Sequence, residues 1–160
     1  MPRRYWLMKS EPSVFSWNDL LTCPNSTTPW EGVRNYQARN YMRDDMQVGD
    51  GILFYHSSSD PTAIVGIARV ASRAYPDPSA FDQQSKYYDA RSKIDNPQWL
   101  VVDVSAVETL PTPLTLEQLR QLPGLDSMVL LKKGSRLSVQ PVHIDEWRVV
   151  LEAAGIHHPV

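Results

Sequence analysis

The chain has 160 residues, 42% of them hydrophobic and 21% charged, which fits one ordinary globular domain with a sizeable core. A formal net charge of −2 argues against a protein that coats nucleic acid through bulk charge, and apolar runs of only a few residues exclude a transmembrane helix. Cys23 is the one cysteine, so no intramolecular disulfide can form, and without ligand-type spacing around it a plain thiol is expected.

Residues 5–9 (YWLMK) read as an opening strand, stopped by Ser10-Glu11-Pro12. Ser16 offers an N-cap for a short helix through Trp17, Leu20 and Leu21, and a second helix is expected near residues 35–43, its pattern starting at Val33 or Arg34. After Gly49-Asp50, residues 51–56 (GILFYH) alternate, with Ile52, Phe54 and His56 on one face and Leu53, Tyr55 and Ser57 on the other. Residues 63–70 (AIVGIARV) complete an antiparallel hairpin, in which Gly66 signals a bulge or the close approach of another group.

Residues 72–97 form a long connection rich in Pro, Asp, Ser and Tyr; loops of that length in a compact domain are functional or mobile. A long strand is expected over residues 98–110, then a helix to Leu122 with a capping box at Thr115 and Gln118. Residues 127–131 fit a strand or a helical turn. Residues 136–142 alternate as a strand, and residues 143–154 form a closing helix with Gly155 as its C-cap. Five or six strands and four helices in irregular order give an α+β fold, a curved mixed sheet or small β-barrel with flanking helices. One domain over residues 1–156 with a tail at 157–160 is expected.

The run WEGVRNYQARNYM at residues 30–42 carries the strongest functional signal. Trp30 precedes a turn and lies outside the apolar stripe of the helix that follows. That position fits a ligand-facing ring outside the main core, and equally a buried tryptophan packing the helix onto a sheet. Nine of the 16 basic residues fall in three windows: Arg3, Arg4 and Lys9; Arg34, Arg39 and Arg43; Lys132, Lys133 and Arg136. Brought together they would make a local cationic groove; left apart they are solvated surface charges.

Catalytic and metal signatures are missing. His56, His143, His157 and His158 lack metal-ligand spacing, and no phosphate loop, dinucleotide fingerprint, nucleophile elbow or zinc-protease motif occurs. No cofactor or metal is expected. His56 and Ser57 are adjacent on a strand and point to opposite faces, so a nucleophilic pair is disfavoured and His56 is expected to be a polar pocket residue.

Five motifs, KSEP at residues 9–12, WEGVRNYQARN at 30–40, FYHS at 54–57, YYDxRSKIDNPxW at 87–99 and SRLSVQPV at 135–142, closely resemble those of EVE-domain proteins. The resemblance runs in order over nearly the whole chain. It implies a PUA-like fold related to the YTH and SRA readers of methylated bases, and a non-enzymatic module that binds a modified base, notably a modified cytosine in DNA. It also implies an association with restriction systems in bacteria. Lys9 and Ser10 match the Lys-Ser pair that YTH domains place beside the base, Trp30 matches the first wall of their aromatic cage, and Arg136 falls where those relatives contact phosphate. Asn35, Phe54, His56 and Ser57 join the base-binding set by motif membership. Tyr88 is taken as the second wall from the candidates Tyr75, Tyr87 and Tyr88, with Trp99 fitting either wall or core. Arg34, Arg39 and Lys133 join Arg136 as the phosphate-binding set.

The expected partner is therefore nucleic acid with a modified base, DNA ahead of RNA, and no membrane. Residues 1–12 hold no apolar stretch long enough for a signal peptide, so a cytoplasmic protein is expected. The alternatives are an RNA reader, since no residue reports on a 2′-hydroxyl, and an enzyme acting on a small nucleotide with a carboxylate or His56 as proton acceptor.

Overall fold

A computed structural model describes residues 2–134 and 136–160. Its framework is a mixed sheet built around β1 (Tyr5–Ser10), β3 (Gly51–His56) and β4 (Ala63–Val70). β3 runs parallel to β1 and antiparallel to β4, which makes it an interior strand covered on both faces. The pleat sends Ile52 and Phe54 into one core, with Trp6 and Met8, and Leu53 and Tyr55 into another, with Leu7.

Four α-helices cover the two faces. α1 (Trp17–Thr22) starts at a capping box of Ser16 and Asp19, and α2 (Tyr36–Asn40) buries Ala38 in the same Trp6 core. α3 (Leu116–Gln121) has the expected Thr115–Gln118 capping box. α4 (Ile144–Ala153) joins α3 on the opposite face by burying Trp147, Val150 and Leu151 around Leu119.

Several boundaries differ from the sequence expectation. The second helix starts only at Tyr36 and becomes a π-helical turn over Tyr41–Asp45. A short strand β2 (Thr27–Pro29) was not expected; it pairs antiparallel with β7 (Asp103–Thr115) at a sheet edge, where a proline is tolerated. The expected strand over 98–110 divides at Val102. Its first part, β6 (Leu100–Val101), pairs with β5 (Tyr75–Pro76), while β7 continues past Leu110 through Pro111 and Pro113. Those prolines fall where the β4–β7 register skips from Thr109 opposite Gly66 to Leu114 opposite Ile64, so neither interrupts a regular ladder. Residues 127–131 contain a 3₁₀ turn at Val129–Leu131, and β8 (Val139–Val142) begins three residues late.

Gly66 meets both of its expected roles. The register slips between Phe54 and Tyr55 opposite it, and a Cβ there would stand 2.5 Å from the Trp17 ring.

The six-stranded sheet runs β2-β7-β4-β3-β1-β8. It curls into a half-barrel, and residues from its two edges face one cavity: Thr28 and Pro29 from β2, Lys9 and Ser10 from β1, and Ser138 just before β8. The connection over residues 72–97 is no bare spacer. It carries β5, a 3₁₀ turn at Pro78–Phe81 and the buried residues Asp77, Ser79, Ala80 and Ser92.

Candidate functional site

Where the sheet edges converge, a cavity of about 460 Å³ opens. Its walls come from four local structures. The ends of β1 and β8 meet through a hydrogen bond from the Lys9 amide to the Ser138 carbonyl at 2.9 Å. The turn after β1 adds Glu11, Val14 and Phe15, closed by the Val14 and Phe15 amides donating to the Glu11 carbonyl. The exit of β2 supplies Trp30, Glu31, Gly32 and Val33, anchored by the Trp30 amide donating to the Val102 carbonyl at 2.9 Å. The long connection contributes Lys86 and Tyr87.

One buried carboxylate fixes the last two walls against each other. Asp77 is fully buried; its Oδ1 accepts from the Ser79 amide at 2.8 Å and hydroxyl at 2.6 Å, and its Oδ2 from the Gly32 amide at 3.0 Å and Arg34 at 2.9 Å. Arg34 in turn donates to the Tyr87 carbonyl at 2.6 Å. Gly32 has φ +85°, and a Cβ there would lie 2.5 Å from Tyr87 Cζ, so the Tyr87 ring rests directly on the Gly32 backbone. Sequence reasoning missed Asp77, Gly32 and Phe15 as parts of the site, and weighed Tyr87 as a wall candidate but took Tyr88. The legible signals were Asp77-Pro78, an N-cap followed by proline at N1, and Gly32 straight after the tryptophan.

Of the residues expected to bind a base, Lys9, Ser10 and Trp30 line this cavity together. Trp30 does so as a core residue. It is only 8% exposed and packs edge-on against Phe15 and Phe54, so the placement outside the main core is corrected. The Ser10 hydroxyl donates to the Phe15 carbonyl, tying the strand end to the turn.

The others do different work. Phe54 is wholly buried beneath Trp30 and presents no face to the cavity. His56 accepts a hydrogen bond from the Trp17 amide at 3.0 Å through Nε2, which seats the start of α1. Asn35 caps α2, its side-chain oxygen accepting from the Ala38 amide at 2.9 Å. Ser57 donates its amide to the Ser10 carbonyl. Tyr88 is exposed and absent from the lining, where its neighbour Tyr87 stands instead. Trp99 is core, with its indole N–H on Asp89 at 2.8 Å, a bond that leads in holding that carboxyl down to about 2.

The phosphate set divides similarly. Arg34 is committed to Asp77 and lies over the rings of Tyr87 and Trp99. Arg39 donates to the Gln98 carbonyl at 2.9 Å and to Asn40, and covers Tyr36. Arg34 is thus taken up by protein acceptors, while Arg39 keeps part of its donor set beyond Gln98 and Asn40. Lys133 and Arg136 are exposed and make no hydrogen bond or ion pair with a described residue. Arg136 is two residues from the cavity-lining Ser138, which puts it near the mouth.

Charge in the cavity is unbalanced locally. Lys9 is half-buried without a hydrogen-bond or ion-pair partner among the described residues, and burial lowers its pKa. Burial raises the Glu31 carboxyl; Asp77 and Asp82 add to that, and Arg34 opposes it. Burial also lowers His56. Among the described residues no cluster of His, Cys, Asp or Glu could hold a metal.

A curled, mixed six-stranded half-barrel with flanking helices is a PUA-type architecture. The same fold is found in the YTH domain of Zygosaccharomyces rouxii MRB1 solved with N6-methyladenosine RNA, at a TM-score of 0.54 and 14% identity over 99% of this chain and 87% of that one. The EVE domain profile matches residues 4–153, and the chain belongs to the EVE domain family. Thymocyte nuclear protein 1 of Gallus gallus is 40% identical over 164 residues, spanning 92% of this chain and 67% of that protein. Human THYN1 protein, solved in complex with 5-methylcytosine-containing DNA, superposes with a TM-score of 0.88 at 38% identity, covering 98% of this chain and 99% of that one.

Proposed function

We propose that the chain is a non-enzymatic reader that extrudes a modified cytosine from DNA and holds it in the cavity between β1, the β2 exit and Tyr87. The observation that carries this reading is the lining itself, Phe15, Trp30 and Tyr87 around an unpaired, partly desolvated Lys9. A flipped base needs aromatic faces and a few fixed polar groups, and stacking on such walls contributes roughly 1–3 kcal/mol per base. The cavity, about 460 Å³, has room for an extruded base. On this reading Lys9 donates to a base oxygen or the 5′ phosphate, and the exposed Arg136 and Lys133 contact the backbone outside. The human relative's complex with 5-methylcytosine DNA supports the choice of ligand.

Several features weigh against catalysis. His56 is occupied by the Trp17 amide, and the Ser10 hydroxyl, beside Glu11 in the lining, is committed to the Phe15 carbonyl. A restriction enzyme acting on the captured site would be a separate partner. Competition binding at fixed salt with matched duplexes carrying 5-methylcytosine or cytosine, and with matched RNA, tests the reading. Preference for the methylated duplex is expected; equal binding of all three, or preference for RNA, would overturn it.

A further inference from the structure

Thymine and 5-methylcytosine share the ring, the 5-methyl group and the 2-carbonyl. They differ in that cytosine carries a 4-amino donor and an unprotonated N3, thymine a 4-carbonyl and an N3–H. Stacking walls and a methyl contact therefore cannot separate them, and a reader of modified cytosine needs a fixed acceptor at position 4.

Glu31 offers such an acceptor, on an exposed residue at the cavity wall. It lines the cavity between Trp30 and Gly32, and its carboxyl makes no hydrogen bond or ion pair with a described residue. The positive charge nearest to it, Arg34, is already bound to Asp77, and Asp77 and Asp82 add negative charge around it. Its carboxylate thus faces neighbouring negative charge with no protein donor among the described residues, so a donor supplied by a ligand is favoured there. The other lining carboxylate, Glu11, is approached by the Ser58 hydroxyl at 3.4 Å. The cavity thus pairs a free cation on the β1 wall, Lys9, with a free acceptor on the β2-exit wall. Cytosine has the complementary pattern, acceptors at O2 and N3 and a donor at N4.

We propose that Glu31 is the specificity-determining residue that accepts from the 4-amino group of the extruded base and repels the 4-carbonyl of thymine. The inference rests on the modified-cytosine reading above. It is tested with the whole chain by competition anisotropy, using 5-methylcytosine or thymine placed opposite the same abasic site so that neither has a pairing partner to lose. The wild type should prefer 5-methylcytosine by on the order of 10-fold or more. Glu31→Gln, whose amide can donate to O4 or accept from N4, should bring the two within about threefold by gaining thymine. Glu31→Ala should lose 5-methylcytosine without that gain. Thermal unfolding should be unchanged in both, because the side chain has no protein partner to lose. A Gln variant that keeps the wild-type ratio would overturn the role of Glu31 alone. A wild type indifferent to 5-methylcytosine against cytosine in duplex DNA would overturn the underlying reading as well.

Discussion

Arg34 and Asp77 form a 2.9 Å ion pair that joins the loop after Trp30 to the connection carrying Tyr87. Asp77 is fully buried and holds the Gly32 amide with the same oxygen, so the pair sets the distance between two cavity walls. Removing one member of a buried pair leaves the other uncompensated. Asp77→Ala should therefore cost about 3–5 kcal/mol in urea unfolding and weaken DNA binding by displacing Tyr87. Full stability in that variant would mean the walls are held by other contacts.

Gly32 and Gly49 provide an internal control. Both have positive φ, +85° and +95°, but a Cβ at Gly32 meets Tyr87 at 2.5 Å whereas one at Gly49 meets nothing within 4 Å. Gly49→Ala should show backbone strain alone, about 1 kcal/mol. Gly32→Ala should cost more and also reduce affinity. Equal costs for the two would show that Tyr87 moves aside freely.

Trp30 serves core and cavity together, and its substitution cannot separate binding from stability. Trp30→Ala should lower stability by about 3–5 kcal/mol, the range for a large buried aromatic, with Trp30→Phe milder. An unshifted thermal midpoint for the Ala variant would contradict the edge-on packing with Phe15 and Phe54.

His56 is more readily protonated in the unfolded chain, because burial lowers its pKa in the fold and Nε2 accepts the Trp17 N–H. The unfolded state then binds more protons as pH falls from the ordinary value of 6.5, so stability drops on that side and is fully present above it. His56→Gln, which keeps an acceptor, should flatten that slope in pH-dependent denaturation. A slope identical to the wild type would assign the effect elsewhere.

The fold was legible wherever local pattern decides structure. The alternation of Ile52 and Phe54 against Leu53 and Tyr55, the caps at Ser16 and Thr115, and the Gly66 irregularity all appear as read. Boundaries failed where pairing overrode composition: Pro29 sits in an edge strand, and Pro111 and Pro113 lie inside β7 because a register skip absorbs them. The site was legible in part, since Lys9, Ser10 and Trp30 converge from two motifs. For Arg34 the sequence shows a cation and hides its partner. Asp77 lies 43 residues beyond Arg34, and only the folded chain brings them together. Tyr88 was taken over its fellow candidate Tyr87 because adjacent residues in an irregular loop carry no periodicity to say which faces inward.

Lys9 separates function from folding most cleanly. As a partly buried cation without a partner among the described residues it adds desolvation cost and no compensating bond. Lys9→Met should leave stability unchanged or slightly raised in urea unfolding while weakening binding of methylated DNA. A clear loss of stability would mean Lys9 is structural.

The most direct test of the central claim is base extrusion itself, followed by the fluorescence of 2-aminopurine placed beside a single 5-methylcytosine in duplex DNA. Titration with the wild-type protein should raise the emission as the neighbouring base leaves the stack, saturating with binding, and Lys9→Met should blunt the rise. A cytosine duplex should respond weakly. Saturable binding with no change in emission, or an equal response from both duplexes, would contradict the account.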